Sequence, residues 1–217
     1  MAASAARDLR PLFEPRSVAI VGGSNDPAKW GQWFARGVLR GEHRRAVYLV
    51  NRSGEPVLGR QTYRSLADLP DEPELVVAVP ASVFEETVDA AIEAGARAIV
   101  AIAAGLGEIG EEGQRRERAV VERVRAGGAV LVRPNCMGVF DAGAELDLAT
   151  NDFPAGSIGL VSQSGNLALE VSLLAADVSL GVSRFVSLGN QADVEAAELV
   201  VALAEHDGRP SCCWPAA

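Results

Sequence analysis

Two strand-to-helix turns carry residues suited to holding an anion. The first is Val21-Gly22-Gly23-Ser24-Asn25, where glycines let the backbone come close to a phosphate and the following amides and helix dipole can hold it. Its spacing is not GxGxxG, so a purely structural turn stands beside the phosphate-cradle reading. The second is Ser162-Gln163-Ser164-Gly165-Asn166, a serine-rich cap with the form of an anion site at a helix start. A nucleophile elbow would need GxSxG, which is absent. Between them lie further strand exits. Asn51 and Arg52 stand where an NAD site would usually place Asp or Glu; Arg52 is either a ribose-phosphate ligand, as NADP or coenzyme A would need, or an exposed loop arginine. Val79-Pro80-Ala81-Ser82 and Ala103-Ala104-Gly105-Leu106-Gly107-Glu108 are two more exits, and Arg133-Pro134-Asn135-Cys136-Met137-Gly138 another, with Asn135 offering both donor and acceptor. The last is Ser187-Leu188-Gly189-Asn190-Gln191-Ala192-Asp193, expected on the same edge as the serine cap.

Other chemistry is sparse. His43 sits in a charged turn and His206 at the end of a helix, so Ser–His triads and most metal sites lack context, and neither a catalytic residue nor a metal ligand is assigned. Cys136 has no evident base beside it and reads as structural rather than nucleophilic. Cys212 and Cys213 are adjacent, a poor disulfide geometry, and free thiols in a reducing compartment are expected.

The elements that must position these residues alternate. Apolar strands are expected at 17–21, 46–50, 75–79, 98–103 and 129–132, with helices at 30–40, 83–94 and 111–125. The strands are continuously apolar, which implies burial on both faces and a parallel sheet. The expectation is a Rossmann-like doubly wound α/β domain over residues 9–150, whose ligand lies at the carboxyl ends of its strands. A boundary falls near 151–156. A second series follows: strand 158–161, helix 165–176, strand 185–188 and helix 194–205. Two strands cannot cover their own faces, so residues 156–207 read as the start of an incomplete flavodoxin-like domain. The stretch 208–217 has no period and two prolines, and is expected to be an aberrant tail produced by a frameshift or early stop.

The net charge of -9 with scattered Lys and Arg argues against a nucleic-acid partner. The longest apolar run, 98–106, is far short of the roughly 18 residues of a membrane helix, and the first residues do not build a signal peptide; a cytoplasmic protein is expected.

In sum the segments resemble the α part of the NDP-forming acyl-CoA synthetases. The matching stretches are Leu12 to Ser24, Lys29-Trp30-Gly31, Val79-Pro80-Ala81, Pro134-Asn135-Cys136-Met137-Gly138, Ser162-Gln163-Ser164-Gly165-Asn166 and Ser187 to Asp193. The resemblance implies coenzyme A as the ligand of the first domain, with Gly22, Gly23, Ser24, Asn25, Lys29, Asn51, Arg52, Val79, Pro80, Glu108, Pro134 and Asn135 around it. It implies that Ser162, Gln163, Ser164 and Gly165 open a phosphate-holding helix. It also implies conversion of acid, CoA and NTP to acyl-CoA, NDP and phosphate, with a transfer histidine and an ATP-grasp β part that this chain does not supply. Assembly into a homo- or hetero-oligomer would follow. Rival readings are a non-catalytic CoA- or dinucleotide-sensing module and the N-terminal part of a protein acyltransferase, with an NADP oxidoreductase more remote.

Overall fold

The structure is a computed structural model and describes residues 7–79, 81–102, 110–132, 136–150, 152–189, 193–204 and 214–216. The chain enters through a single helical turn, α1 (Arg10–Phe13), which buries Leu12 and Phe13. It continues as β1 (Ser17–Val21), α2 (Trp30–Leu39), β2 (Ala46–Val50), β3 (Thr62–Tyr63), β4 (Leu75–Ala78), α3 (Phe84–Glu93), β5 (Ala98–Ala101), α4 (Gly110–Ala126) and β6 (Val130–Val132). Short 3-10 turns at Leu66–Asp68 and Ala81–Val83 precede β4 and α3.

These strands form one sheet in the order β3-β2-β1-β4-β5-β6, parallel at every pairing. The order reverses beside β1, which makes the β1/β4 edge the switch point of a doubly wound fold. The continuous apolar strands are explained by their two covered faces. Val18, Ile20, Leu75 and Val77 pack with Phe34 and Val38 of α2. Ala19, Val76 and Ile99 point the other way, to Val88 of α3 and Val124 of α4. The short strand β3 escapes the sequence reading because two residues are too few to show a period.

The second sheet contains β7 (Gly138–Asp141), β8 (Leu146–Ala149), β9 (Ala155–Ser162), β10 (Val182–Ser187) and β11 (Trp214–Ala216), with α5 (Gly165–Asp177) and α6 (Ala196–Ala204) between strands. Its order is β11-β9-β10-β7-β8. β9, β10 and β11 run parallel, while the β7–β8 hairpin is antiparallel to β10. The hairpin thus belongs to the second sheet although it lies within the expected first unit, 9–150. The tail expected to be irregular contributes β11, whose backbone pairs with β9 where a further parallel strand of the series would lie.

The two sheets share one core. Val139, Leu146, Leu148, Val161 and Val186 belong to the same cluster of buried side chains as Val18 and Phe34. α2 lies against β8, and Trp33 donates its indole N–H to the Ala149 carbonyl at 2.8 Å. Arg184 of β10 is buried over the Phe13 ring, 4.4 Å from its centre, and donates to Asp141 and Glu14 at 2.6 Å each.

Candidate functional site

At the switch point the carboxyl ends of β1, β2 and β4 diverge around a groove of about 270 Å³. Gly22 forms its base, Asn51, Arg52 and Arg64 one side, and Ser82 and Thr87 the α3 side.

The glycine turn is held differently from the expectation. Gly22 and Gly23 both donate their amides to the Val50 carbonyl, at 2.9 and 3.1 Å, so these two amides tie β1 to the end of β2. The amides of Ser24 and Asn25 have no acceptor among the described residues and stand beside the start of α2. Gly22 has φ 97°, a backbone that favours glycine. Gly31 supplies the close helix approach that a third fingerprint glycine would give. A Cβ there would lie 2.0 Å from the Gly22 carbonyl oxygen. In the sequence the signal for Gly31 is the Lys29-Trp30-Gly31 stretch.

Several polar side chains brace loops. Asn25 donates to the Pro56 carbonyl and accepts from the Leu58 amide, each at 2.8 Å. Asn51 donates to Glu55 at 3.1 Å and accepts from the Gly54 amide at 2.7 Å. Ser24 Oγ accepts the Asp26 amide at 3.1 Å, and exposed Lys29 stands 3.9 Å from Asp26. Arg52 is paired with Glu86 at 3.2 Å, both well exposed, so part of its charge is already answered. Arg64, just past β3, lines the same groove and has no carboxylate partner among the described residues. The sequence reading missed it with β3. Val79 donates its amide to Val21 and packs against the core. Pro80, Glu108, Pro134 and Asn135 lie outside the described residues.

The serine cap forms as expected. Ser164 is the N-cap of α5 and accepts the Leu167 amide at 3.4 Å, while buried Ser162 donates to the Ser164 carbonyl at 2.8 Å. Gln163 is exposed. Met137, just before β7, sits directly on Gly165: a Cβ there would lie 1.6 Å from its sulfur. Thr150 Oγ1 and Ser187 Oγ are buried with no hydrogen-bond partner among the described residues.

Two other readings are decided here. Burial pushes the Cys136 thiol up to about 12, and its sulfur donates to the Ala101 carbonyl at 3.2 Å, which makes it a structural residue. Asp193 does not face the serine cap. It is buried against the first sheet, where it accepts from Arg7, Arg125 and the Leu131 amide.

Comparison with known proteins agrees with this layout. Residues 16–142 match the CoA binding domain family, and residues 155–212 the succinyl-CoA ligase like flavodoxin domain. The Pyrococcus furiosus acetate–CoA ligase [ADP-forming] II subunit alpha is 35% identical over 196 residues, covering 89% of this chain and 43% of the relative. A Pyrococcus horikoshii OT3 crystal structure superposes with TM-score 0.89 at 34% identity, over 94% of this chain and 48% of that one. A dinucleotide forming acetyl-coenzyme A synthetase 1 of Ca. Korarchaeum cryptofilum, solved with phosphate and ADP, gives TM-score 0.85 at 29% identity, over 92% and 43%. The chain spans less than half the length of these relatives. No described helix is long and apolar enough to cross a membrane. By its matched domain and by its course through both sheets, the chain belongs to the CoA-binding domain family, in the form found in the alpha part of the NDP-forming acyl-CoA synthetases.

Proposed function

We propose that this chain binds coenzyme A along the carboxyl edge of the first sheet and presents its thiol end to the start of α5. The observation that carries the reading is the pair of free amides at Ser24 and Asn25, set at the start of α2 and beside the switch-point groove. A diphosphate fits there, because each amide is a donor with no acceptor among the described residues and the helix start favours negative charge. The adenosine end fits the groove, where Arg64 offers a cation to the ribose phosphate and Ser82 and Thr87 offer hydroxyls. Arg52 contributes once it leaves Glu86.

The whole reaction we assign is acid, CoA and NTP to acyl-CoA, NDP and phosphate. In it Ser162, Gln163, Ser164 and Gly165 hold the phosphoryl group of the acyl phosphate by the same helix-start physics. In this reading the thiol end of CoA reaches the start of α5, which Met137 packs against at Gly165. In that reaction the nucleotide site belongs to an ATP-grasp partner and the transferring histidine to a later stretch of the second domain, so residues 1–217 taken alone are expected to bind without turning over. Calorimetric titration with CoA, NADH and NADPH tests the ligand. Tighter binding of CoA is expected, and tighter binding of either dinucleotide would overturn the assignment.

A further inference from the structure

The carboxyl ends of β9 and β10 carry two serines on one face of the second sheet. Ser187, the last residue of β10, pairs with Ser162, the last of β9. Strand alternation fixes their direction. Phe185, two residues before Ser187, and Leu160, two before Ser162, both belong to the buried cluster of Ala168 in α5. The two serine side chains therefore face α5. Ala168 lies about one turn inside the helix. Ser187 and Ser162 lie one step beyond Phe185 and Leu160 toward the carboxyl ends, so they stand beneath the first turn of α5.

The two hydroxyls differ in what they bond. Ser162 donates to the Ser164 carbonyl at 2.8 Å. Ser187 is fully buried, and its hydroxyl has no partner among the described residues. A buried hydroxyl without an acceptor is unfavourable, and alanine would occupy the place without that cost. Above it, Ser164 takes the amides of Leu167 and Ala168, and those of Gly165 and Asn166 have no acceptor among the described residues. Val186 pairs with Val139, which sets Ser187 beside Gly138 and next to Met137, the side chain seated on Gly165. Donors thus converge from the helix start and from the sheet, with no described group to receive them.

We propose that Ser187 is a binding residue for the phosphoryl group at the start of α5. Its hydroxyl donates to one oxygen of the tetrahedral anion while the Gly165 and Asn166 amides donate to others, and this rests on the reading of that helix start as phosphate-holding. Met137 is unbranched and adaptable, and the anion reaches the hydroxyl when the thioether turns off Gly165. The test is amide NMR of the full chain titrated with inorganic phosphate at constant ionic strength, read at Gly165 and Asn166, beside urea unfolding without phosphate. Both amides of the unaltered chain should shift with phosphate. Ser187→Ala should need about tenfold more phosphate, the scale of one hydrogen bond to a charged group. Its unfolding midpoint should hold or rise, because the change removes a buried hydroxyl that lacks an acceptor. Ser187→Cys, with a weaker donor, should fall between. Equal phosphate dependence in the unaltered chain and Ser187→Ala would overturn the proposal. So would a lowered midpoint with unchanged affinity, the mark of a purely structural hydroxyl. Amides of the unaltered chain that ignore phosphate would remove the phosphate-holding reading of α5 and this assignment with it, while the CoA titration at the first sheet is decided separately.

Discussion

The carboxylate of Asp193 accepts the backbone amide of Leu131 at 2.7 Å. Leu131 lies in β6, the outer strand of the first sheet, and Asp193 follows β10 of the second. One side chain thus closes an open sheet edge and joins the two sheets. The same carboxylate takes Arg7 at 2.7 Å and Arg125 at 2.6 Å, and its side chain is fully buried.

Replacing Asp193 by Ala leaves the buried Leu131 amide without its acceptor and takes one carboxylate from Arg7 and Arg125, although Arg7 keeps Glu198 and both arginines keep the backbone carbonyl of residue 193. Arg125 is 55% exposed and can return to water, which limits the loss. We expect Asp193→Ala to cost about 2–4 kcal/mol. Urea unfolding measures it, and a loss within 0.5 kcal/mol, the range of an ordinary surface substitution, would contradict the closing role.

Gly31→Ala should separate α2 from the glycine turn, because its methyl group meets the Gly22 carbonyl backbone and not a movable side chain. A stability loss of about 1–3 kcal/mol is expected from the overpacking. Binding of CoA should weaken by more than tenfold, since the free amides move with the turn. Calorimetry beside thermal unfolding separates the two effects.

The two arginines of the groove should differ. Arg64→Ala should weaken CoA more than Arg52→Ala, because Arg52 is shared with Glu86. Glu86→Gln should tighten binding about twofold to fivefold, the scale of an exposed ion pair. Titrations at low and high salt check this, and equal losses for both arginines would count against the assignment.

Cys136 should resist alkylation at neutral pH, since burial pushes its thiol up to about 12. With Cys212 and Cys213 changed to Ser, iodoacetamide labelling should follow global unfolding. Rapid labelling of the native chain would show that the site opens.

Arg7 holds the Glu198 carboxyl below its ordinary value through two hydrogen bonds, against the opposing effect of partial burial. A carboxyl depressed in the folded state stabilises the fold fully above its unfolded pKa, about 4.3, and the contribution is lost as pH falls through the folded value. Glu198→Gln should therefore cost stability near neutrality and little in stronger acid. Unfolding curves across that range test the sign.

The sequence by itself determined the alternation of strands and helices, the parallel first sheet and the place of the ligand edge. Continuous apolar runs such as Leu75 to Ala78 admit burial on both faces only. It also determined the cap at Ser164, because a serine before a helical period satisfies its own neighbours locally. What depends on distant partners was not legible. Gly22 and Gly23 look like free donors until β2 brings the Val50 carbonyl to them. Strands β7 and β8 are broken by Gly138, Asp141 and Asp147, so no continuous apolar run marks them, and they owe their sheet to β10. Asp193 ends a segment expected on the edge of the serine cap, yet its partners lie 62 and more residues away in sequence. Only the tertiary structure could turn it from the ligand edge to the seam between sheets, because a buried carboxylate goes where its donors are.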